Sequence, residues 1–322
     1  MMKILANDGI SAEGKEALEK AGHTVSTETI EQDKLIEVIN NENYEALIVR
    51  SATVVRENLI DACPNLKFIG RGGVGMDNID VEYARNKGII VSNTPAASSQ
   101  SVAELVMGHL FSISRSLHDS FKNMPANGAN DFKVLKKKYG KGVELRGKTL
   151  GIIGFGRIGQ SLASYALGCG MKVIAVSREE ESVSIPLTIE GVGRIEAEVK
   201  TTTDISAMLA ASDFISLHVP KQKDGSAVLG ASEFDKMKDG VRIVNAARGG
   251  VIDEDALLAA IESGKVANVA LDVFENEPNP RQDLLTNDKI ATTPHIGAAT
   301  VEAQARIGLE LADIIVSNFG SK

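Results

Sequence analysis

A glycine run set between an apolar strand and a helix constrains this chain most. Gly154-Phe155-Gly156-Arg157-Ile158-Gly159 follows the buried-strand pattern Thr149-Leu150-Gly151-Ile152-Ile153 and leads into a helical pattern from Gln160 to Leu167. In that setting each glycine has a reason: Gly154 for the tight turn, Gly156 for close approach of an anion to the backbone, Gly159 for close helix–strand packing. The N–H groups at Arg157 and Ile158, with the positive end of the helix dipole, then face the anion. The run reads as the pyrophosphate cradle of a dinucleotide. The plainer alternative is a glycine-rich turn without a ligand; the strand before and the helix after favour the cradle.

The rest of the chain repeats the same unit. Strand patterns lie at Lys3 to Ala6, Ala46 to Val49, Lys67 to Gly70 and Ile89 to Val91, with helical patterns between, such as Glu13 to Ala21 and Val81 to Lys87. After Lys148 they resume at Thr149 to Ile153, Lys172 to Val176, Asp213 to Val219, Val241 to Ala246, Val266 to Leu271 and Lys289 to Thr292. A helix spans Asp255 to Ser263, with Asp253 or Asp255 as its N-cap and Gly264 at its end. Strand–helix alternation predicts parallel α/β sheets. The 322 residues suit two such domains better than one. Long helical patterns lie from about Ser98 to Lys122 and from Thr300 to Asn318. Residues 122–148 are polar, rich in Gly and Lys, and without periodicity; they read as an extended arm or a solvated loop.

Polar residues just past the strands are the candidates for chemistry, because open α/β sheets bind ligands there. The strand Lys172 to Val176 ends at Ser177-Arg178-Glu179, where an acidic ribose reader is expected. Ser177 can accept a hydrogen bond, Arg178 can pair with a 2′-phosphate, and Glu179 can bind a ribose diol, so NAD and NADP both stay open. A solvent-facing charge is the alternative for Arg178. Three further segments follow strands: Asn245-Ala246-Ala247-Arg248-Gly249-Gly250, Asp272-Val273-Phe274-Glu275-Asn276-Glu277-Pro278 and Thr293-Pro294-His295-Ile296-Gly297. The fork of Arg248 can grip a carboxylate and a carbonyl oxygen. A Glu beside His295 would orient the ring and favour the imidazolium, as a general acid/base requires.

Taken together, these stretches resemble the D-isomer-specific 2-hydroxyacid dehydrogenase family over essentially the whole chain, Ser216-Leu217-His218-Val219-Pro220 included. The resemblance implies a Rossmann-type nucleotide-binding domain at 99–295. It also implies a flavodoxin-like substrate domain at 1–98 and 296–322, with the active site in the cleft between them. It puts Arg248, Glu277 and His295 on the catalytic positions. His218, Pro220, Ala246, Asp272, Arg248 and His295 join Gly154, Gly156, Arg157, Ile158, Gly159, Ser177 and Arg178 around NAD. Arg50, Ser51, Gly73, Val74, Gly75, Arg248 and His295 would contact the substrate.

Within the family, Leu47 to Thr53, Gly70 to Asp80 and Ala298 to Gln304 are similar to the phosphoglycerate dehydrogenase branch. Two features depart from it: Ser177 at the strand tip, and a stretch at 182–200 longer than usual. The chain is expected to lack the regulatory domains of longer relatives. A glyoxylate or hydroxypyruvate reductase, and a dinucleotide-sensing corepressor, are the competing functions. The arm at 122–148 helps form a homodimer in the family, and its Lys136, Lys137 and Lys138, with Arg50, would suit a phosphorylated substrate.

A formal net charge of −8 argues against nonspecific binding to nucleic acid or an anionic membrane. No apolar run is long enough to span a bilayer, and the N-terminal one is too short for a signal peptide. Two cysteines, Cys63 and Cys169, make neither a disulfide framework nor a metal spacing. No metal is expected, and a reducing cytoplasm is.

Overall fold

The computed structural model describes residues 1–321. The chain divides into two compact units, one formed by residues 1–101 with the stretch from 298 onward, the other by residues 102–297.

The first unit runs β1 (Lys3–Ala6), α1 (Ala12–Lys20), β2 (Thr24–Ser26), α2 (Leu35–Asn41), β3 (Ala46–Val49), α3 (Glu57–Ala62), β4 (Phe68–Arg71), α4 (Val81–Asn86) and β5 (Ile90–Asn93). The five strands are parallel in the order β2-β1-β3-β4-β5, the flavodoxin-like winding. Their runs are apolar because both faces are covered: Ile4, Leu5, Leu47, Ile48, Phe68 and Ile69 are inaccessible to solvent. The edge strand β2 is Thr-Val-Ser, too short and too polar to register as a strand pattern.

Two helices follow, α5 (Ser99–Arg115) and α6 (Leu117–Lys138). They correct the sequence reading twice. The pattern that runs on to Lys122 is broken at Ser116, which takes a left-handed conformation with φ +50°. Most of the expected irregular arm is α6, bent at Asp131. Its helical register was hidden by Pro125 and the weak helix formers Asn123, Asn127, Gly128 and Asn130. Only residues 139–148 lack regular structure.

The second unit runs β6 (Thr149–Ile153), α7 (Arg157–Gly168), β7 (Lys172–Val176), β8 (Ser182–Ile189), β9 (Gly193–Thr202), α8 (Ile205–Ala211), β10 (Phe214–Leu217), α9 (Ala231–Lys236), β11 (Val241–Asn245), α10 (Glu254–Glu262), β12 (Val266–Leu271), α11 (Gln282–Thr286) and β13 (Ile290–Thr292). Its sheet order is β13-β12-β11-β10-β6-β7-β9-β8. Apart from β8 the pairings are parallel. This is the Rossmann winding with its switch point between β6 and β10.

The 182–200 stretch is a hairpin standing where a crossover helix is usual. β8 lies antiparallel on β9 at the sheet edge, with Val183 opposite Val199, Ile185 opposite Ala197 and Leu187 opposite Ile195. Alternation puts these apolar residues on one face. Ile185 and Val199 join the core that contains Leu162 and Ala166 of α7. Pro186 is tolerated because β8 is an edge strand.

The last helix, α12 (Val301–Phe319), belongs to the first unit. Thr300 caps it, its hydroxyl accepting from Ala303 N at 3.2 Å. It meets α1 main chain to main chain: a Cβ on Gly14 would lie 2.6 Å from the Gly308 backbone. Phe319 packs edge-on against Phe68, with ring centroids 6.2 Å apart.

Candidate active site

The glycine loop sits at the switch point of the second sheet. Gly154 follows β6 with φ +94°, and a Cβ there would strike the His218 carbonyl oxygen at 2.5 Å. Gly159 lies so close to the turn that its Cβ would meet Gly154 O at 2.4 Å. Gly156, by contrast, faces open space, and α7 begins after it with no side-chain cap. The first N–H groups of α7 at Arg157 and Ile158 therefore look onto a clear backbone surface, which fits a dinucleotide pyrophosphate. His218 follows β10 and bonds Ser216 Oγ through Nε2 at 2.9 Å. Burial pushes this imidazole down to about 4, and its Nδ1 is buried without a partner. Pro220, two residues on, is exposed.

At the tip of β7, Ser177 N–H is tied to Thr202 O at 3.1 Å, so Ser177 is half-buried and fixed. Arg178 and Glu179 point outward as exposed side chains. Thr201 Oγ1 pins this turn by donating to Glu179 O at 2.8 Å and accepting from Glu181 N at 2.9 Å.

Arg248 is set by the loop after β11. Asn245, almost fully buried, accepts from Ala247 N at 3.0 Å and donates to Arg248 O at 2.9 Å. Ala246 is half-buried between them. Gly249 has to be glycine, since a Cβ would sit 1.8 Å from Phe274 O. The loop after β12 is braced as well. Buried Glu254 accepts from Glu275 N at 2.9 Å, and Glu277 Oε1 accepts from Phe274 N at 2.9 Å.

The other oxygen of Glu277 receives His295. Nδ1 of the ring is 2.7 Å from Oε2, and both side chains remain partly exposed. Burial alone would raise the Glu277 carboxyl. Hydrogen bonds from His295 and Phe274 N–H, with the charges of His295 and Arg248, outweigh it and hold the group below the usual carboxylate range. A charged Glu277 favours the tautomer with its proton on Nδ1, which leaves the Nε2 lone pair able to accept a proton. His295 itself has φ +54°, a left-handed conformation costing about 1–2 kcal/mol outside glycine. Asp272 maintains it: Oδ1 accepts from Thr293 Oγ1 at 2.6 Å and Ile296 N at 2.9 Å, and Oδ2 from Gly297 N at 2.9 Å. The sequence reading treats Asp272 only as a cofactor contact; in the structure both oxygens grip the histidine loop. The sequence assigns no role to Asn245, Glu254 or Thr293: Asn245 braces the backbone of Ala247 and Arg248 beside it, while Glu254 and Thr293 act on Glu275 and Asp272, each 21 residues away in the chain.

The residues expected to contact substrate from the first unit lie past β3 and β4. Arg50 is half-buried, its N–H donating to Asp8 at 2.6 Å and its carbonyl accepting from Asn78 at 2.9 Å. Ser51 beside it is exposed. Gly73 has φ +141°, and its carbonyl accepts from Thr94 N at 3.0 Å. Among the described residues, Val74 and Gly75 give no N–H to another backbone group. Of the arm lysines expected to suit a phosphorylated substrate, Lys138 is paired with the buried Asp119 at 2.6 Å. Among the described residues no side-chain cluster could hold a metal ion, and no helix is long and apolar enough to cross a membrane.

The family model described as D-isomer specific 2-hydroxyacid dehydrogenase, NAD binding domain, matches residues 107–297. The chain is 42% identical over 322 residues to a hydroxypyruvate reductase of Thermotoga maritima, covering 99% of this chain and 98% of that protein. It is 40% identical to a D-3-phosphoglycerate dehydrogenase of Archaeoglobus fulgidus, covering 98% of this chain but 57% of the longer relative. Among solved structures, a glyoxylate reductase from Paecilomyes thermophila matches with a TM-score of 0.82 at 31% identity, over 99% of this chain and 96% of that one. Since the family model spans nearly all of the second unit and the Thermotoga relative aligns end to end, the chain belongs to the D-isomer-specific 2-hydroxyacid dehydrogenase family and is an NAD(P)-dependent oxidoreductase.

Proposed function

We propose that the chain interconverts D-3-phosphoglycerate and 3-phosphohydroxypyruvate with NAD, the first step of serine synthesis, in the cytoplasm. The observation that carries the reaction class is the His295–Glu277 pair at 2.7 Å. The glycine turn at 154–159 and the first N–H groups of α7 would hold the dinucleotide, whose nicotinamide would supply the hydride chemistry at C2. His295 Nε2 takes the hydroxyl proton as the C2–H bond breaks, and returns it in the reverse direction. Glu277 keeps the ring oriented and stabilises the imidazolium. Arg248 holds the carboxylate and the C2 oxygen through its fork, so the oxygen's developing charge meets a fixed cation. The N–H groups of Val74 and Gly75, with Ser51, are read as further substrate contacts; the Gly73 N–H, expected to join them, is instead given to Arg71 O at 2.9 Å.

The phosphate reading is supported by Arg50. Its main chain is pinned, and among the described residues its guanidinium makes no ion pair, so the charge is available to an anion. Hydroxypyruvate reduction is the second reading, favoured by the end-to-end likeness to the Thermotoga relative. Purified protein assayed with 3-phosphoglycerate, hydroxypyruvate and glyoxylate, each against NAD(H) and NADP(H), separates them. Arg50→Ala should raise the Michaelis constant for 3-phosphoglycerate roughly tenfold or more, from the loss of a charge-assisted contact. It should barely move that for glyoxylate. Equal losses for both substrates would remove the support for a phosphorylated substrate.

We also infer a homodimer. Phe121, Met124 and Phe132 of α6 are exposed together with Phe111 of α5. Such a stripe of large apolar side chains favours burial against a second copy.

A further inference from the structure

His109 lies on α5, far in sequence from Arg248, Glu277 and His295. It is buried at 6% exposure, and its Nε2 is 3.0 Å from Thr293 Oγ1. Thr293 Oγ1 in turn donates to Asp272 Oδ1 at 2.6 Å. A threonine hydroxyl has one proton, and here Asp272 receives it. The bond to His109 must therefore run the other way, from Nε2–H into the lone pairs of Thr293. The polarity of the chain is settled: His109 Nε2–H to Thr293 Oγ–H to the Asp272 carboxylate. Burial lowers the pKa of His109, as does the nearby His118, while Asp272 opposes it; the net shift is downward and favours the neutral, single-donor ring.

Asp272 spans the residues on both sides of His295. It receives the Thr293 hydroxyl from before it and the N–H groups of Ile296 and Gly297 from after it. The Thr293 carbonyl also accepts from His295 N at 3.1 Å, closing the turn. The left-handed backbone of His295 thus depends on Thr293 pointing one way. Without a donor behind it, the hydroxyl can rotate off Asp272 and the turn loses its upstream anchor.

We propose that His109 is a positioning residue for the acid–base step, orienting Thr293 and through it Asp272 and the turn that presents His295. This rests on the reading of His295 as the acid/base. The ring Nε2–H can be replaced by a Gln side-chain amide but not by Leu.

The test is steady-state kinetics on the whole enzyme with NAD(H) and its best 2-oxo acid, for His109→Leu, His109→Gln and Thr293→Val, alone and combined with His295→Ala. Thermal melts check that each variant folds. His109→Leu and Thr293→Val should each lower kcat by roughly 10- to 100-fold, as a displaced catalytic group does. Dinucleotide affinity should hold, and His109→Gln should recover most of the rate. The Leu/Val double variant should be no slower than either single one, because both break one chain. In the His295→Ala background neither should cost anything more. A wild-type kcat in His109→Leu, no recovery with Gln, or a further loss on top of His295→Ala would each overturn the proposal. If His109→Leu does not fold, Thr293→Val decides by the same criteria. Near-normal turnover of His295→Ala alone would instead sink the acid/base reading beneath it.

Discussion

His295 combines an unfavourable backbone conformation with a side chain held 2.7 Å from a charged carboxylate. That combination fits the acid/base role proposed for it: Asp272 holds the turn and Glu277 aims the ring. His295→Ala should cut turnover by roughly 10²- to 10⁴-fold and leave dinucleotide binding, measured by fluorescence titration, almost unchanged. Oxidation needs the neutral ring and reduction the imidazolium, so the wild-type rates should rise with pH in one direction and fall in the other. His218 makes a different prediction, about stability. Its pKa is pushed down to about 4 by burial, from an ordinary 6.5. Above pH 6.5 both folded and unfolded chains hold it neutral. Between 6.5 and 4 only the unfolded chain binds the proton, so stability is lost as pH falls through that window, by about 3 kcal/mol at most. Urea unfolding at pH 7.5 and pH 5 should show a smaller acid loss for His218→Gln than for wild type. An equal loss would mean that the ring is solvated or relaxes on protonation.

Among the elements, the strand–loop–helix of β6 and α7 was fully legible, because each glycine answers a local steric demand. The tip of β7 was legible only as a choice. Ser177 is fixed by Thr202, while Arg178 and Glu179 stand exposed side by side. Binding titrations with both cofactors decide between them. If Glu179 reads the ribose diol, Glu179→Gln should weaken NAD(H) roughly tenfold and Arg178→Ala should spare it. If Arg178 reads a 2′-phosphate, Arg178→Ala should weaken NADP(H) instead. The two following glutamates, Glu180 and Glu181, would repel a phosphate, and so tilt the expectation toward NAD. The hairpin of β8 and β9 and the helix α6 were not legible as elements. The apolar alternation of β8 is interrupted by Pro186, which argues against a strand, and most of the large apolar residues of α6 point outward around Pro125, which argues against a helix.

For the molecule as a whole, the outward stripe on α6 predicts its state in solution. Phe121→Lys with Phe132→Glu should convert a dimer to a monomer in size-exclusion chromatography with light scattering, without unfolding it, since both residues are exposed in the single chain. A wild-type protein that already runs as a monomer at micromolar concentration would refute the inferred homodimer.

The sequence by itself determined the two doubly wound α/β units, the glycine turn at 154–159 and the positions of Arg248, Glu277 and His295 past their strands. These are local properties: the period of burial along a strand, and the backbone freedom a tight turn demands. Only the tertiary structure decided that Glu277 meets His295 across eighteen residues of chain, that Asp272 grips the turn rather than standing open, and that His109 reaches Thr293 from a helix 184 residues away. Which side chains meet across a sheet depends on strand order and register. No local pattern carries that information, because the partner's position is set only when the core between them is packed.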